Sequence, residues 1–233
     1  MKILFLDLET FGFDFNADKG FILCGSYKWK GEKKVHTITR SHPNKFTDTP
    51  EDDKDICRRL AEVIAEADVV FTWNGRSFDF RFLQTRMLKH RLGYLAPVSH
   101  EDGLLTARAS LKMNRSLKNM GKFFKLAHQK DGVDIDVWMK AGAGHPDALG
   151  SVIRHCETDI KMTEEAYNLL GPLSKSHPRI VNDMTKCRFC GSGNLQSRGR
   201  IPALRHYRQR YHCHKCGAWS SSQPIKYTDK GAR

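Results

Sequence analysis

FLDLET, residues 5–10, sets two acids into a run that otherwise reads as a buried β-strand. Residues 2–8 are apolar on both alternating faces, as expected for the centre of a sheet covered on both sides. Side chains two apart on a strand share a face, so Asp7 and Glu9 are neighbours at the strand's carboxyl end. Two adjacent carboxylates repel each other, and burying them is costly unless a cation lies between them. Taken alone, the pair could equally mark the point where the strand emerges into water.

The surrounding chain bounds what such a site could serve. With 233 residues there is room for one sizeable core plus a small appendage. An apolar fraction of 39% and an aromatic fraction of 10% suit a globular protein in water. The longest apolar stretch is far short of a membrane span. Asp7 interrupts the N-terminal apolar run too early for a signal-peptide core, so a reducing, cytoplasmic compartment and no membrane partner are expected. The net charge is +13, and it is unevenly spread. Residues 186–233 hold eleven Lys/Arg against one acid, Asp229, a net of +10 that leaves +3 for the rest. A polyanionic partner bound chiefly by the tail is the natural reading.

Composition breaks where the charge does. Residues 171–185, rich in proline and poor in core-forming runs, read as a linker between a domain at 1–170 and a basic module at 186–233. Within the first domain, 21–29 and 34–40 are β-rich runs around a Gly31-Glu32 turn, a hairpin pattern. Residues 53–66 carry Ile56, Leu60, Val63 and Ile64 at helical spacing. A buried strand follows at 67–73, a helix at 77–90 and a short strand near 97–100. Helices are then predicted over 103–111, 116–126 and 147–170. This order describes an α/β domain on a mixed sheet.

Further acids fall where such a fold gathers ligands. WNGRSFDFRFL (73–83) places Asn74-Gly75 just after the second buried strand and Asp79 in the first turn of the next helix. IRHCETDIKM (153–162) puts His155 and Asp159 four apart, on one face of a long helix. Each has an ordinary explanation alone: a helix N-terminal acid for Asp79, a surface His–Asp pair for the other two. Together they supply four carboxylates and one titratable base. Four convergent carboxylates suit two hard divalent cations, magnesium or manganese.

DLE (7–9), NGRSFD (74–79) and HCETD (155–159) resemble the three motifs of the DEDD-type 3′–5′ exonucleases, on the ribonuclease H-like fold. The likeness covers about residues 1–170. It implies a mixed five-stranded sheet flanked by helices, and Mg²⁺ or Mn²⁺ ligands at Asp7, Glu9, Asp79 and Asp159. It also implies a general base at His155 and contacts with a single strand near its end from Thr10, Asn74 and Phe78. In that family a histidine base stands five residues before the last Asp and a tyrosine base four; here a histidine stands at four and Arg154 at five. The branch is therefore open, although only the four-residue offset stacks the base over the turn that carries Asp159.

In the tail, Cys187-Arg-Phe-Cys190-Gly and Cys213-His-Lys-Cys216-Gly are two C-x-x-C-G knuckles, and the tail resembles the zinc-ribbon family. Four thiols at this spacing read as one structural Zn²⁺ site. His206, His212 and His214 lie near enough to compete, but the two knuckles already complete a tetrahedron. Between the knuckles, 205–213 alternates like a strand, with Arg208 and Arg210 on one side and Arg205, Tyr207 and Tyr211 on the other. Arginines interleaved with aromatics suit phosphate contacts and base stacking.

The expected protein is a two-domain, metal-dependent 3′–5′ exonuclease of single-stranded DNA, with a zinc ribbon gripping the strand. Polarity and DNA preference rest on the resemblance. An RNA exonuclease or a structure-selective endonuclease would use the same acids. A non-catalytic adaptor docking onto a replication or repair protein is the alternative of another class.

Overall fold

The chain runs β1 (Ile3–Phe11), β2 (Phe21–Trp29), β3 (His36–Thr39), α1 (Lys54–Ala65), β4 (Val69–Thr72), α2 (Asp79–Lys89) and β5 (Ser99–Asp102). Helices α3 (Gly103–Ser110), α4 (Leu117–Phe124), α5 (Ile135–Gly142) and α6 (Pro146–Leu170) follow. The structure, a computed structural model, describes residues 1–12, 16–39 and 52–227. Arg40, the expected end of the third strand, and residues 228–233 of the expected ribbon lie outside the described residues. Two units are distinguished, Met1–Asn168 and Leu169–Arg233.

In the first unit the five strands form one mixed sheet in the order β3-β2-β1-β4-β5. β2 and β3 are antiparallel to their neighbours, whereas β4 runs parallel to β1 and β5 parallel to β4. This is the sheet that the resemblance implies. Alternation along β1 explains why its sequence is apolar throughout. Leu4, Leu6 and Leu8 face α1 and α2, packing with Ile56, Leu60, Ile64, Phe82 and Leu83. The opposite face carries Phe5, which meets Phe71 and the α6 residue Tyr167 edge-on at 6.1 and 5.4 Å. Further along that face, Leu23 and Cys24 pack against Val152 and Cys156 of α6. Both faces are therefore covered, and the face under α6 is the one that bears Asp7 and Glu9.

A buried ion pair ties the edge of this sheet together. Asp53, just before α1, receives Arg86 of α2, both side chains being 1% exposed. Asp53 also accepts the Ile22 N–H at 2.8 Å, and Arg86 donates to the Gly20 carbonyl at 2.6 Å. These bonds fix where β2 starts, opposite Phe11.

The second unit holds β6 (Leu195–Pro202), β7 (His206–Cys213), β8 (Trp219–Ser221) and β9 (Ile225–Lys226). β6 and β8 flank β7, and β9 also pairs with it, all antiparallel. Residues 171–185, read as a linker, fall within this unit. Gly171–Leu173 is a single 3-10 turn. The carbonyls beyond it are held by arginines: Arg188 donates to Ser174 and His177, and Arg179 to Asp183 and Lys186.

Helix α5 is absent from the sequence-based element order. Its first turn is capped by the Asp134 carboxylate, which accepts the Asp136 N–H. Among the described residues, no helix is long and apolar enough to cross a membrane.

Candidate active site

Strand β1 outruns its parallel neighbour. Phe5 pairs with Phe71, and β4 ends one residue later at Thr72. Asp7 and Glu9 thus lie within β1 rather than at its end, with β2 on one side and the loop after β4 on the other. The pairing with β2 slips between Glu9 and Thr10, a bulge of the kind that re-aims side chains beside active sites.

That loop, 73–78, is shaped by its sequence. Asn74 adopts a left-handed conformation (φ 72°), which asparagine tolerates better than most residues. A Cβ on Gly75 would lie 2.4 Å from the Thr72 hydroxyl, so only glycine fits. The Asp102 carboxylate at the end of β5 accepts the N–H groups of Asn74 and Arg76, both at 3.1 Å. The turn then delivers Asp79 as the first residue of α2. Its carboxylate, 3% exposed, accepts the Leu8 N–H of β1 at 2.9 Å. A helix N-terminal acid is thereby pinned to the β1 backbone at the residue that separates Asp7 from Glu9 in the chain.

Helix α6 crosses above them and brings the other two residues. His155 Nε2 lies 3.9 Å from Glu9 Oε1, and donor atoms of Glu9, His155 and Asp159 all lie within 4.8 Å of one another. Asp7, Glu9 and Cys156 make a second such group. Asp159 is buried; its Oδ2 receives the Lys130 ammonium at 2.5 Å, while its buried Oδ1 has no hydrogen-bond partner among the described residues.

The electrostatics follow from this crowding. Burial and then repulsion from Asp79, Glu9 and Asp159 hold the Asp7 carboxyl well above its ordinary pKa. Burial, followed by Asp159, pushes Glu9 up to about 8. Burial likewise lifts Asp79 to about 7 against the opposing backbone N–H groups. His155 is shifted the other way: burial lowers it, although Asp159 pulls upward. Carboxylates that resist ionisation together, with one buried oxygen left unsatisfied, are a donor set that fits divalent cations. Asp7, Glu9, Asp79 and Asp159 are the residues that could hold them.

Two clefts open from this cluster. One, of about 350 Å³, runs past Glu9, Thr10 and Phe78 to Trp138 and Met139 of α5, and is largely apolar. The other, of about 510 Å³, is lined by Asp7, Asn74 and Asp159 together with Arg108, Arg115, Lys118 and Lys130. Thr10, Asn74 and Phe78 therefore all border the acids. The four basic residues were missed because they sit in no motif and because the charge over residues 1–185 sums to only +3. The apolar wall was missed with α5.

In the second unit, Cys187, Cys190, Cys213 and Cys216 converge, their sulfurs within 4.8 Å of one another. Cys187–Cys216 and Cys190–Cys213 are 3.6 Å apart, which excludes disulfides. It matches the edge of a tetrahedron with metal–sulfur bonds of about 2.3 Å. Gly191 and Gly217, which close the knuckles, have φ of +71° and +74°, explaining the glycine after each pair. Burial works against ionisation of Cys213, but the N–H groups of Cys216 and Lys215 and the Cys190 thiol outweigh it and bring the thiol down to about 7. The site fits a zinc ribbon, and His206, His212 and His214 are not part of the cluster. Along β7, Arg208 and Arg210 are exposed. Tyr207 is packed between Arg200 at 4.3 Å and Tyr227 at 5.5 Å; Tyr211 is half-buried, and Arg205 is exposed in the turn before the strand.

Comparison with known proteins agrees with this layout. A family model described as the RNase_H superfamily matches residues 4–171. A DNA polymerase of Methanocaldococcus jannaschii is 30% identical over 89 residues, which is 37% of this chain and 5% of the polymerase. Among solved structures, the family B DNA polymerase from Pyrobaculum calidifontis superposes with a TM-score of 0.57 at 15% identity, over 73% of this chain and 24% of that one. The latter is a likeness of fold, and this chain spans only a small part of either polymerase.

Proposed function

Because the chain belongs to the RNase_H superfamily, we propose that it is a metal-dependent nuclease, a 3′–5′ exonuclease acting on single-stranded DNA. The observation that carries this reading is the convergence of Glu9, Asp7 and Asp159 on two clefts, with Asp79 held behind them on the Leu8 N–H and raising the Asp7 carboxyl, and with one buried Asp159 oxygen unsatisfied among the described residues. These four would hold two Mg²⁺ or Mn²⁺ ions. Bound there, such ions supply Lewis acidity to a phosphodiester and make a neighbouring water easier to deprotonate.

The chain's own residues supply the rest. His155, its pKa lowered by burial, is neutral at pH 7 and able to accept a proton at Nε2, the nitrogen facing Glu9. Phe78 and Trp138 offer an apolar wall on the Glu9 side, suited to the terminal base. Arg108, Arg115 and Lys118 line the Asp159 side, where they suit the phosphates of the incoming strand. The second unit would bind one structural Zn²⁺ and contribute its own contacts to the strand.

Polarity and substrate are tested together by incubating the full chain with 5′-labelled single strands of DNA and RNA and resolving the products with time. A ladder shortening from the 3′ end, faster on DNA, supports the reading. Internal cuts that appear first would replace it with an endonuclease, and faster loss of RNA would replace the substrate.

A further inference from the structure

Within the second unit a groove of about 540 Å³ carries an unbalanced charge. Lys175, Arg179, Arg188, Arg208 and Arg210 line it, and no carboxylate does among the described residues. Two of these cations come from the β7 face; the other three come from the segment before and within the first knuckle. Arg188 and Arg179 spend part of their donors on backbone carbonyls, yet Arg179 Nε is buried without a hydrogen-bond partner among the described residues. The same groove holds a large ring. Trp219 of β8 pairs across from His212, so it shares a face with Arg208 and Arg210. It is 51% exposed, with the His212 ring against it at 4.8 Å and the Arg210 guanidinium 5.9 Å from its centroid.

We infer that this groove is a binding subsite for single-stranded nucleic acid, in which the cations take successive phosphates and Trp219 stacks on a base. The inference rests on the nuclease reading only for the class of partner. Five cations with no acid select a polyanion. A half-exposed indole, already supported by another ring, offers a flat apolar surface that an acidic peptide would leave unused. The assignment separates the two faces of β7. The Arg208–Arg210–Trp219 face binds, while Tyr207 is occupied by Arg200 and Tyr227 and takes no base.

The test is equilibrium binding of the full chain, in buffer without magnesium or manganese, to two fluorescent DNA strands of equal length. One strand is ordinary and the other lacks its bases. Trp219→Ala should weaken the ordinary strand by about 5- to 100-fold and leave the abasic strand unchanged, whereas Trp219→Phe should restore affinity. Replacing both Arg208 and Arg210 by Ala should weaken both strands and flatten the plot of log affinity against log salt by about 1.4. Tyr207→Ala serves as the opposite-face control and should bind as the unaltered protein does. Zinc content measured on every variant shows that the knuckles are intact. Equal loss on both strands for Trp219→Ala, an unchanged salt slope, or competition by polyglutamate as effective as by DNA would overturn the groove. Because no cleavage is read, binding without hydrolysis in a separate assay would sink the nuclease reading and leave the groove standing. Hydrolysis with unaffected variants would do the reverse.

Discussion

Asp7 is the residue on which charge and fold are most at odds. Its carboxyl, like those of Glu9 and Asp79, is held above its ordinary pKa by burial and by its neighbours. An acid raised in this way stabilises the fold below its unfolded pKa, and that contribution is lost as pH rises through the folded value. For Glu9 and Asp79 the loss spans the ordinary value of about 4 to about 7–8. The metal-free protein should therefore be less stable at pH 8 than at pH 5 on this account. Asp7→Asn should raise its melting temperature at pH 8 and have less effect at pH 5. Added Mn²⁺ should stabilise the unaltered protein more at pH 8 than at pH 5, and Asp7→Asn should blunt that gain. Thermal melts at the two pH values read all three effects. Destabilisation by Asp7→Asn at pH 8 would mean that the acids are not in mutual repulsion.

His155 permits a separate check at the same scale. If it accepts a proton during hydrolysis, His155→Ala should lower the rate by about 10²–10⁴-fold and remove the acidic limb of the pH–rate profile. A variant that keeps that limb would place the proton acceptor elsewhere. The acids and this histidine were legible because strand and helix periodicity fix which side chains share a face. Lys130 was not. It reaches Asp159 from the irregular segment between α4 and α5, and no local pattern announces such a contact.

At the scale of elements, β1 and the loop 73–78 were readable for the same reason that they work. Alternation sets the face of Asp7 and Glu9, and the Asn-Gly pair marks a turn with a left-handed residue. Strand limits shifted, as with β5, expected near 97–100 and found at Ser99–Asp102. There Asp102 doubles as the cap of α3, accepting the Leu104 N–H, and as the anchor of the 73–78 loop. The buried Asp53–Arg86 pair had no sequence signal, since its partners are 33 residues apart. Asp53→Ala leaves the Arg86 charge buried without its carboxylate and the Ile22 N–H without its acceptor. It should cost about 3–5 kcal/mol in denaturant unfolding. Replacing both, Asp53→Leu with Arg86→Met, should recover much of that loss. A single variant as stable as the unaltered protein would show that the pair does not pin the start of β2.

For the whole molecule, the charge break at residue 186 falls inside the second unit, Leu169–Arg233. Residues 171–185 read as a linker because Pro172 and Pro178 break patterns, while Arg188, which satisfies the Ser174 and His177 carbonyls, lies beyond the segment. The second unit has a small core, so its fold should depend on the four-cysteine site. The purified chain should carry one zinc per molecule. Cys187→Ser with Cys190→Ser should abolish it and melt the second unit, read as lost near-ultraviolet dichroism from Trp219. A zinc-free chain with that signal intact would contradict a structural role for the metal.

The central claim is that Asp7, Glu9, Asp79 and Asp159 hold the cations that drive phosphodiester hydrolysis. The most direct measurement is the initial rate on a 5′-labelled single strand, titrated with Mg²⁺, for the unaltered chain and for Asp159→Asn. The account predicts a rate for the unaltered chain that rises from near zero with Mg²⁺ and saturates. For Asp159→Asn at the same saturating Mg²⁺ it predicts a rate lower by about 10²-fold or more, on the scale of losing one electrostatic stabiliser of the transition state. An Asp159→Asn chain that cuts at the unaltered rate, or an unaltered chain that cuts equally well without divalent cations, would contradict it.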